Sequence, residues 1–250
     1  MKKTYALVGY PLGHSFSKVF FTDKFKREEL SAEYLNFELS SLDNLKSEIE
    51  NHPHLIGFNV TIPYKQQIIP MLNSMSKEAK EIGAVNVVRI MKGKAGTELK
   101  GYNSDVIGFS KSIKPLLKSY HKKALVLGTG GASRAVFYGL KHLGLLTQYV
   151  SRTKKNGILS YEELNEELIK DFTVIVNCTP LGMSPKTDKC PSIPYKFIGS
   201  KHLLFDLIYN PDETLFLKKG KIQGATTKNG LEMLHLQALE SWDIWNKNKI

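Results

Sequence analysis

The sequence predicts an α/β protein built in two successive parts, and three observations predict it. Short apolar runs alternate with segments of helical spacing from Tyr5 onward, the pattern of a mostly parallel sheet covered by helices. A second series of the same kind opens at Lys122, where the apolar run Lys123 to Leu127 enters the turn Gly128-Thr129-Gly130-Gly131 and then a helix, in the manner of a dinucleotide-binding unit. Polar residues with chemical capability fall at the carboxyl ends of the strand-like runs, where ligands of parallel sheets sit.

The first strand, Tyr5 to Val8, runs into GYPLGHSFS, a turn rich in Gly and Pro that opens a helix at Ser15 or Ser17. A strand at Tyr34 to Leu39 and a helix at Leu42 to Asn51 follow, so the chain begins βαβαβ. The third strand, Leu55 to Phe58, leads into Asn59, Thr61, Pro63 and Lys65. Asn59 and Thr61 are two apart and face the same way on an extended backbone, and Pro63 can open a helix whose first turn carries Lys65. A carboxamide, a hydroxyl and an ammonium then converge. Residues 76–82 read as helix and Ala84 to Ile90 as a strand interrupted by Asn86, a polar group that needs a partner. After the Lys92 to Gly96 turn and a return strand, GYNSD places Asp105 in the first turn of a helix spanning Val106 to Lys118.

In the second part the glycine turn is followed by a helix at Ala135 to Leu143 and a strand at Tyr149-Val150. Glycines there allow a pyrophosphate close to the amides of a helix N-terminus, although Ser133 holds the third glycine position of the usual spacing. The strand ends in Ser151-Arg152-Thr153-Lys154-Lys155, and no acid occurs between Lys141 and Tyr161. An acid at that place would bind a ribose 2′-hydroxyl and repel a 2′-phosphate, so NADP is the expected cofactor over NAD. Strands at Thr173 to Asn177 and His202 to Phe205 end in the loops holding Thr179 and Tyr209. The last helix, Asn229 to Trp245, carries Leu231, Leu234, Ala238, Trp242 and Trp245 as a core stripe, with Gln237 and Glu240 as interior polar residues.

Composition narrows the function classes. A chain of 250 residues, 42% hydrophobic and 24% charged, has the balance of a soluble globular protein of one large or two modest domains. No run of about 18 apolar residues exists, and MKKTYALVGY breaks at Gly9 and Pro11 before a secretion signal could form, so a cytoplasmic location without membrane contact is expected. Cys178 and Cys190 form neither a disulfide framework nor a zinc pattern, and no metal is expected. The net charge of +11 is spread along the chain, which implies attraction of small anions rather than a nucleic-acid partner.

Nine blocks in order, GYPLGHSFS, GFNVTIPYK, GAVN, GYNSD, LGTGGASRA, SRT, NCTPLGM, DLIYNP and NGLEMLHLQALESW, cover residues 5–245, and together they resemble the shikimate dehydrogenase family. The resemblance implies an N-terminal α/β substrate-binding domain over residues 1–104, rejoined by the C-terminal helix over 229–250, and a Rossmann-type NADP-binding domain over 105–228. It implies reversible reduction of 3-dehydroshikimate to shikimate with NADPH, in the shikimate pathway of aromatic amino-acid biosynthesis. By position, Ser15 and Ser17 would bind the substrate carboxylate, Asn59, Thr61, Asn86, Tyr209 and Gln237 would surround the substrate, and Lys65 with Asp105 would form the catalytic pair. Gly128, Gly130, Gly131, Ala132, Ser151, Arg152, Thr153, Thr179, Leu207 and Gly230 would hold the cofactor.

Oxidation of a secondary alcohol needs a hydride acceptor and a group exchanging the hydroxyl proton, and a lysine with a carboxylate neighbour provides the latter without a metal. Lys65 is assigned to proton transfer and Asp105 to orienting it; the sequence is equally compatible with the reverse. Two departures from the family stand out. Ser151 replaces its usual Asn, with Lys154 or Lys155 representing the later basic residue, and the chain is short, implying trimmed loops near Lys92 to Glu98 and Asn156 to Ser160. The alternatives are a quinate/shikimate dehydrogenase and a non-catalytic NADP-binding regulator; the presence of both Lys65 and Asp105 argues against the latter.

Overall fold

The structure, a computed structural model, describes residues 2–13, 15–93 and 96–246, and its chain falls into two compact units, Met1–Ser104 with Ala238–Ile250, and Asp105–Gln237. His14 of the first glycine turn and Lys94 and Ala95 of the Lys92 to Gly96 turn lie outside the described residues, as do residues 247–250 of the C-terminal segment.

The first unit contains β1 (Lys3–Gly9), α1 (Phe16–Arg27), β2 (Ala32–Glu38), α2 (Leu45–Asn51) entered through a 3₁₀ turn at Leu42–Asn44, β3 (Leu55–Val60), β4 (Ser74–Met75), α3 (Lys77–Ile82), β5 (Val87–Gly93) and β6 (Gly96–Tyr102). Its sheet has the order β2-β1-β3-β5-β6-β4. β1 is flanked in parallel by β2 and β3. β5 runs antiparallel to both β3 and β6, and the two residues between β5 and β6 are too few for the crossover that a parallel pair requires.

Both faces of this sheet are covered, which explains why β1 reads as an unbroken apolar run. Ala6 and Val8 point into a core with Phe37, Leu45, Phe58 and Ile68, while Tyr5 and Leu7 point into another with Phe21, Phe25, Tyr34 and Trp245. Trp245 lies directly over Gly57, where an added Cβ would meet its ring at 2.4 Å and the Val88 carbonyl at 2.5 Å. The indole N–H donates to that same carbonyl at 3.0 Å, and the Tyr5 hydroxyl donates to Asn246 Oδ1 at 3.1 Å.

The second unit contains α4 (Asp105–Ile113), β7 (Lys123–Leu127), α5 (Gly131–His142), β8 (Leu146–Ser151), β9 (Ile158–Ser160), α6 (Glu166–Asp171), β10 (Val174–Asn177), β11 (Leu203–Asp206), α7 (Leu215–Ile222), β12 (Thr226–Lys228) and the first part of α8 (Leu231–Asn246), whose residues from Ala238 belong to the first unit. Strand order is β12-β11-β10-β7-β8-β9 with every pair parallel. The chain leaves β7 toward β8 and β9, then returns to β10 on β7's other side. That reversal at the carboxyl ends of β7 and β10 is where open parallel sheets bind ligands.

Two elements end differently from the sequence expectation. The helix expected over Val106 to Lys118 stops at Ile113 and continues as a 3₁₀ turn at Lys114–Leu116, since Pro115 has no N–H for the next helical bond. Leu231, expected in the core stripe of the last helix, is exposed because it begins that helix. Among the described residues no helix is long and apolar enough to cross a membrane, and no group of three or more His, Cys, Asp or Glu could hold a metal ion.

Candidate active site

Six of the expected residues, Ser15, Ser17, Asn59, Thr61, Lys65 and Asn86, belong to the first unit. Ser15 is the N-cap of α1, its Oγ accepting from the Lys18 N–H at 3.2 Å, so its own hydroxyl hydrogen stays available to donate. Ser17, in the first turn, is half-buried. Asn59 is buried in β3 with its amide fully committed on the donor side: Nδ2 donates to the Asn86 carbonyl at 3.2 Å and to Ser241 Oγ at 2.9 Å. Its Oδ1 accepts from the Tyr34 hydroxyl at 2.8 Å. Asn86, also buried, accepts the Ser104 N–H at 2.7 Å on Oδ1 and donates from Nδ2 to Ser104 Oγ at 3.1 Å. The hydroxyls of Ser104 and Ser241 meet at 3.1 Å and close the network.

Thr61 leaves the end of β3 with its N–H on the Val8 carbonyl at 2.9 Å. Lys65 does not sit in the first turn of a helix opened by Pro63, as the sequence suggests. Residues 62–68 form a run of turns, because the Lys65 carbonyl is taken by the Val85 N–H at 2.7 Å and the Ile69 N–H bonds to the Gln66 carbonyl at 3.2 Å instead. A second anchor, the Tyr64 hydroxyl on the Leu39 carbonyl at 2.5 Å, fixes the same segment. The lysine is thus held at its backbone on both sides of a short loop, with its side chain half-buried.

Asp105, Tyr209 and Gln237 belong to the second unit. Asp105 is the first residue of α4 and is buried, at the helix end where the backbone dipole favours a carboxylate. Gln237 is buried on α8, its Nε2 donating to the Leu234 carbonyl at 3.0 Å. Tyr209 follows β11 in an exposed loop.

The glycine turn has the geometry that an anionic cofactor needs. Gly128 takes φ +101°, where a side chain would be strained and its Cβ would crowd Thr179 Cγ2 at 3.1 Å. Gly130 is the N-cap of α5, without a side-chain cap, and the space in front of it is open. The amides of Gly131, Ala132 and the residues after them therefore remain open to a pyrophosphate, and the residues present fit the group. Ser133, in the third glycine position, turns its hydroxyl back onto the Gly130 carbonyl at 2.6 Å and stays clear of the loop's outer face. At the end of β8, the Ser151 hydroxyl donates to the Thr153 carbonyl at 2.5 Å and so shapes the turn, leaving Arg152 and Thr153 exposed. Lys154 is paired with Glu163 at 2.5 Å.

Asp206, at the end of β11, organises the loops after β10 and β11. It is completely buried and accepts from Asn177 Nδ2 at 3.0 Å, the Ile208 N–H at 3.0 Å and the Thr214 hydroxyl at 2.6 Å. Asn177 Oδ1 in turn accepts both the N–H and the hydroxyl of Thr179, at 3.0 and 2.7 Å. Leu207 is pressed against Gly230, where a Cβ would come within 2.1 Å of the Leu207 carbonyl oxygen. Thr179, Leu207 and Gly230 are thus positioned by one buried carboxylate and one close backbone approach. Burial pushes the Asp206 carboxyl up to about 6, outweighing the three hydrogen bonds that favour its charge.

That shift has a measurable sign. The folded state keeps the Asp206 proton where the unfolded chain has lost it, so this group makes stability fall as pH rises from about 4 to about 6, by roughly 3 kcal/mol in all. Asp206→Asn should remove that component, and urea unfolding of both proteins across this window measures it; identical pH slopes would contradict the assignment. Tyr34, Ser104, Ser241, Asn177 and Asp206 are the residues that sequence reasoning passed over. Ser241 could have been found as a polar residue one turn beyond Gln237 on an otherwise apolar helix face.

Known proteins resemble this chain over nearly its whole length. Residues 7–88 match the family described as shikimate dehydrogenase substrate binding domain. The NADP(+) shikimate dehydrogenase of Aquifex aeolicus is 43% identical over 97% of this chain and 90% of that protein. That of Methanococcus maripaludis is 38% identical over 99% of this chain and 92% of its own length. Among solved structures, the shikimate 5-dehydrogenase of Thermus thermophilus, determined in complex with NADP(H) and shikimate, has a TM-score of 0.85 at 28% identity, covering 98% of this chain and 94% of that one. With relatives this similar over nearly its whole length, the chain belongs to the NADP-dependent shikimate dehydrogenase family.

Proposed function

We propose that the protein catalyses the reversible reduction of 3-dehydroshikimate to shikimate with NADPH, as a cytoplasmic enzyme of aromatic amino-acid biosynthesis. The observation that carries this reading is the set of polar residues at the strand ends of each unit: Lys65 and its neighbours after β3, and an uncapped α5 behind Gly128. Ser15 and Ser17 bind the substrate carboxylate, and Thr61, Asn86, Tyr209 and Gln237 hold its hydroxyls. Asn59, with both amide hydrogens spent inside the protein, presents only its oxygen and acts mainly by fixing Asn86 and Ser241.

Lys65 exchanges the proton at the reacting oxygen, and Asp105 orients the lysine and that oxygen. Gly128, Gly130, Gly131 and Ala132 cradle the cofactor pyrophosphate, Ser151, Arg152 and Thr153 face its 2′-phosphate, and Thr179, Leu207 and Gly230 complete its site. When bound, the cofactor supplies or accepts the hydride. Steady-state assays test the substrate: shikimate should be oxidised far faster than quinate, and comparable rates would overturn the choice.

The cofactor preference rests on Arg152. Its guanidinium can pair with phosphate oxygens, whereas Lys154 is already held by Glu163 and Ser151 by its own turn. Arg152→Ala should narrow the ratio of kcat/KM for NADP+ over NAD+ by roughly 10- to 100-fold, the worth of hydrogen bonds to a charged group. A parent that uses NAD+ as well as NADP+, or a variant with an unchanged ratio, would refute this role.

A further inference from the structure

Asn59 and Asn86 are connected by two routes, one direct and one through a pair of serines. Directly, Asn59 Nδ2 donates to the Asn86 main-chain carbonyl at 3.2 Å, and because that carbonyl is only an acceptor, the bond fixes which way the Asn59 amide is turned. The other hydrogen of Nδ2 goes to Ser241 Oγ at 2.9 Å. Asn86 is oriented by the same logic. Its Oδ1 accepts the Ser104 N–H at 2.7 Å, so its Nδ2 is the atom that faces Ser104 Oγ at 3.1 Å. Each serine oxygen thus accepts one amide hydrogen, and a hydroxyl hydrogen of one or the other spans the 3.1 Å between them. Asn59, Ser241, Ser104 and Asn86 therefore close a ring whose members come from β3, α8, the segment after β6 and the residue before β5. Both serines are fully buried.

We infer that Ser241 is a positioning residue for substrate binding, which holds the Asn86 carboxamide in register through Asn59 on one side and Ser104 on the other. This rests on the reading of Asn86 as a substrate ligand. A carboxamide recognises a hydroxyl only if it presents a fixed edge, and the last torsion of an asparagine side chain is soft unless both ends of the amide are held. The Ser104 N–H holds the oxygen of Asn86, and the Ser104 hydroxyl, itself in contact with Ser241, holds the nitrogen. Loss of the Ser241 hydroxyl takes an acceptor from Asn59 and a partner from Ser104 in one step. The main-chain bonds of Asn86, from the Val60 N–H at 2.9 Å and to the Tyr102 carbonyl at 3.1 Å, do not depend on Ser241. Its removal therefore leaves Asn86 in place but loosely aimed, and a ligand then has to order the amide as it binds. Completely buried, Ser241 acts only through these neighbours.

Steady-state kinetics of shikimate oxidation test this. Ser241→Ala should raise the KM for shikimate by roughly two- to ten-fold, the worth of an ordinary hydrogen bond, with kcat and the KM for NADP+ essentially those of the parent. A merely structural role would behave differently, since a less stable protein has a smaller active fraction and shows a lower apparent kcat at constant KM. Ser241→Cys, close to serine in size but a weaker acceptor, should shift the KM in the same direction by a smaller factor, and it serves if Ser241→Ala does not fold. In a Ser104→Ala background the effect of either replacement should shrink, because the route through Ser104 is already cut, whereas the part carried by Asn59 is common to both backgrounds and cancels. An unchanged KM for shikimate, a fall confined to kcat, or the same KM factor in both backgrounds overturns the role of Ser241 while leaving Asn86 as a ligand. Asn86→Ala should raise the KM for shikimate as well, and an unchanged value there overturns that reading of Asn86 and this inference with it.

Discussion

Lys65→Ala is expected to lower kcat by about 100- to 10,000-fold while the KM for shikimate stays within a few-fold, because a proton-transfer group acts chiefly in the transition state. The backbone of Lys65 is held through Val85 and the adjoining Tyr64 is tied to Leu39, so removal of the side chain should not disturb the loop that carries it. Lys65→Arg separates charge from proton transfer. A guanidinium keeps the positive charge but does not give up a proton at any working pH, so this variant should be nearly as slow as the alanine one. Turnover within a few-fold of the parent in Lys65→Arg would show that the lysine acts by its charge alone, and the same result in Lys65→Ala would transfer the proton to Asp105.

The largest stability effect should come from Trp245→Ala, at about 3–5 kcal/mol of unfolding free energy. Trp245 is 2% exposed, and its ring lies 5.0 Å from Tyr5 and 5.4 Å from Phe21. Truncation leaves a large void and also strips the Val88 carbonyl of its indole donor. Gly57→Ala should fail for the complementary reason, since its new methyl would have to occupy the space of the same ring. Urea unfolding checks both, and a loss below about 1 kcal/mol for Trp245→Ala would mean that the end of α8 is not part of the first unit's core.

What the sequence disclosed about these sites was local. Glycines between an apolar run and a helix, an N-cap serine, and polar residues at strand ends are patterns within a few positions, and β7, α5, β3 and Ser15 could be read from them. Hydrogen-bond commitments were not local. The partners of Asn59 lie 25 and 182 positions away in Tyr34 and Ser241, and nothing in the spacing of GFNVTIPYK could reveal that both amide hydrogens were already spent. Lys65 illustrates the same limit at shorter range. Pro63 suits a helix start, but the Lys65 carbonyl bonds to Val85 on the next connection, and this tertiary bond overrode the local preference. Asp206 ends β11, and its grip on Asn177, 29 positions away, follows only from the alignment of β10 with β11.

The return of α8 to the first unit fixes an order of events during synthesis. Residues 105–237 form a continuous stretch whose sheet and both cores are complete once that stretch has left the ribosome. The aromatic core of the first unit contains both Tyr5 and Trp245, which is translated after the whole of the second unit, and Tyr5 is hydrogen-bonded to a residue 241 positions later. The part of the chain translated first is therefore the part that matures last. Until Trp245 has been made, Tyr5, Phe21 and Phe25 lack their indole cover, and exposed aromatic surface of this kind makes an incompletely folded chain prone to aggregate.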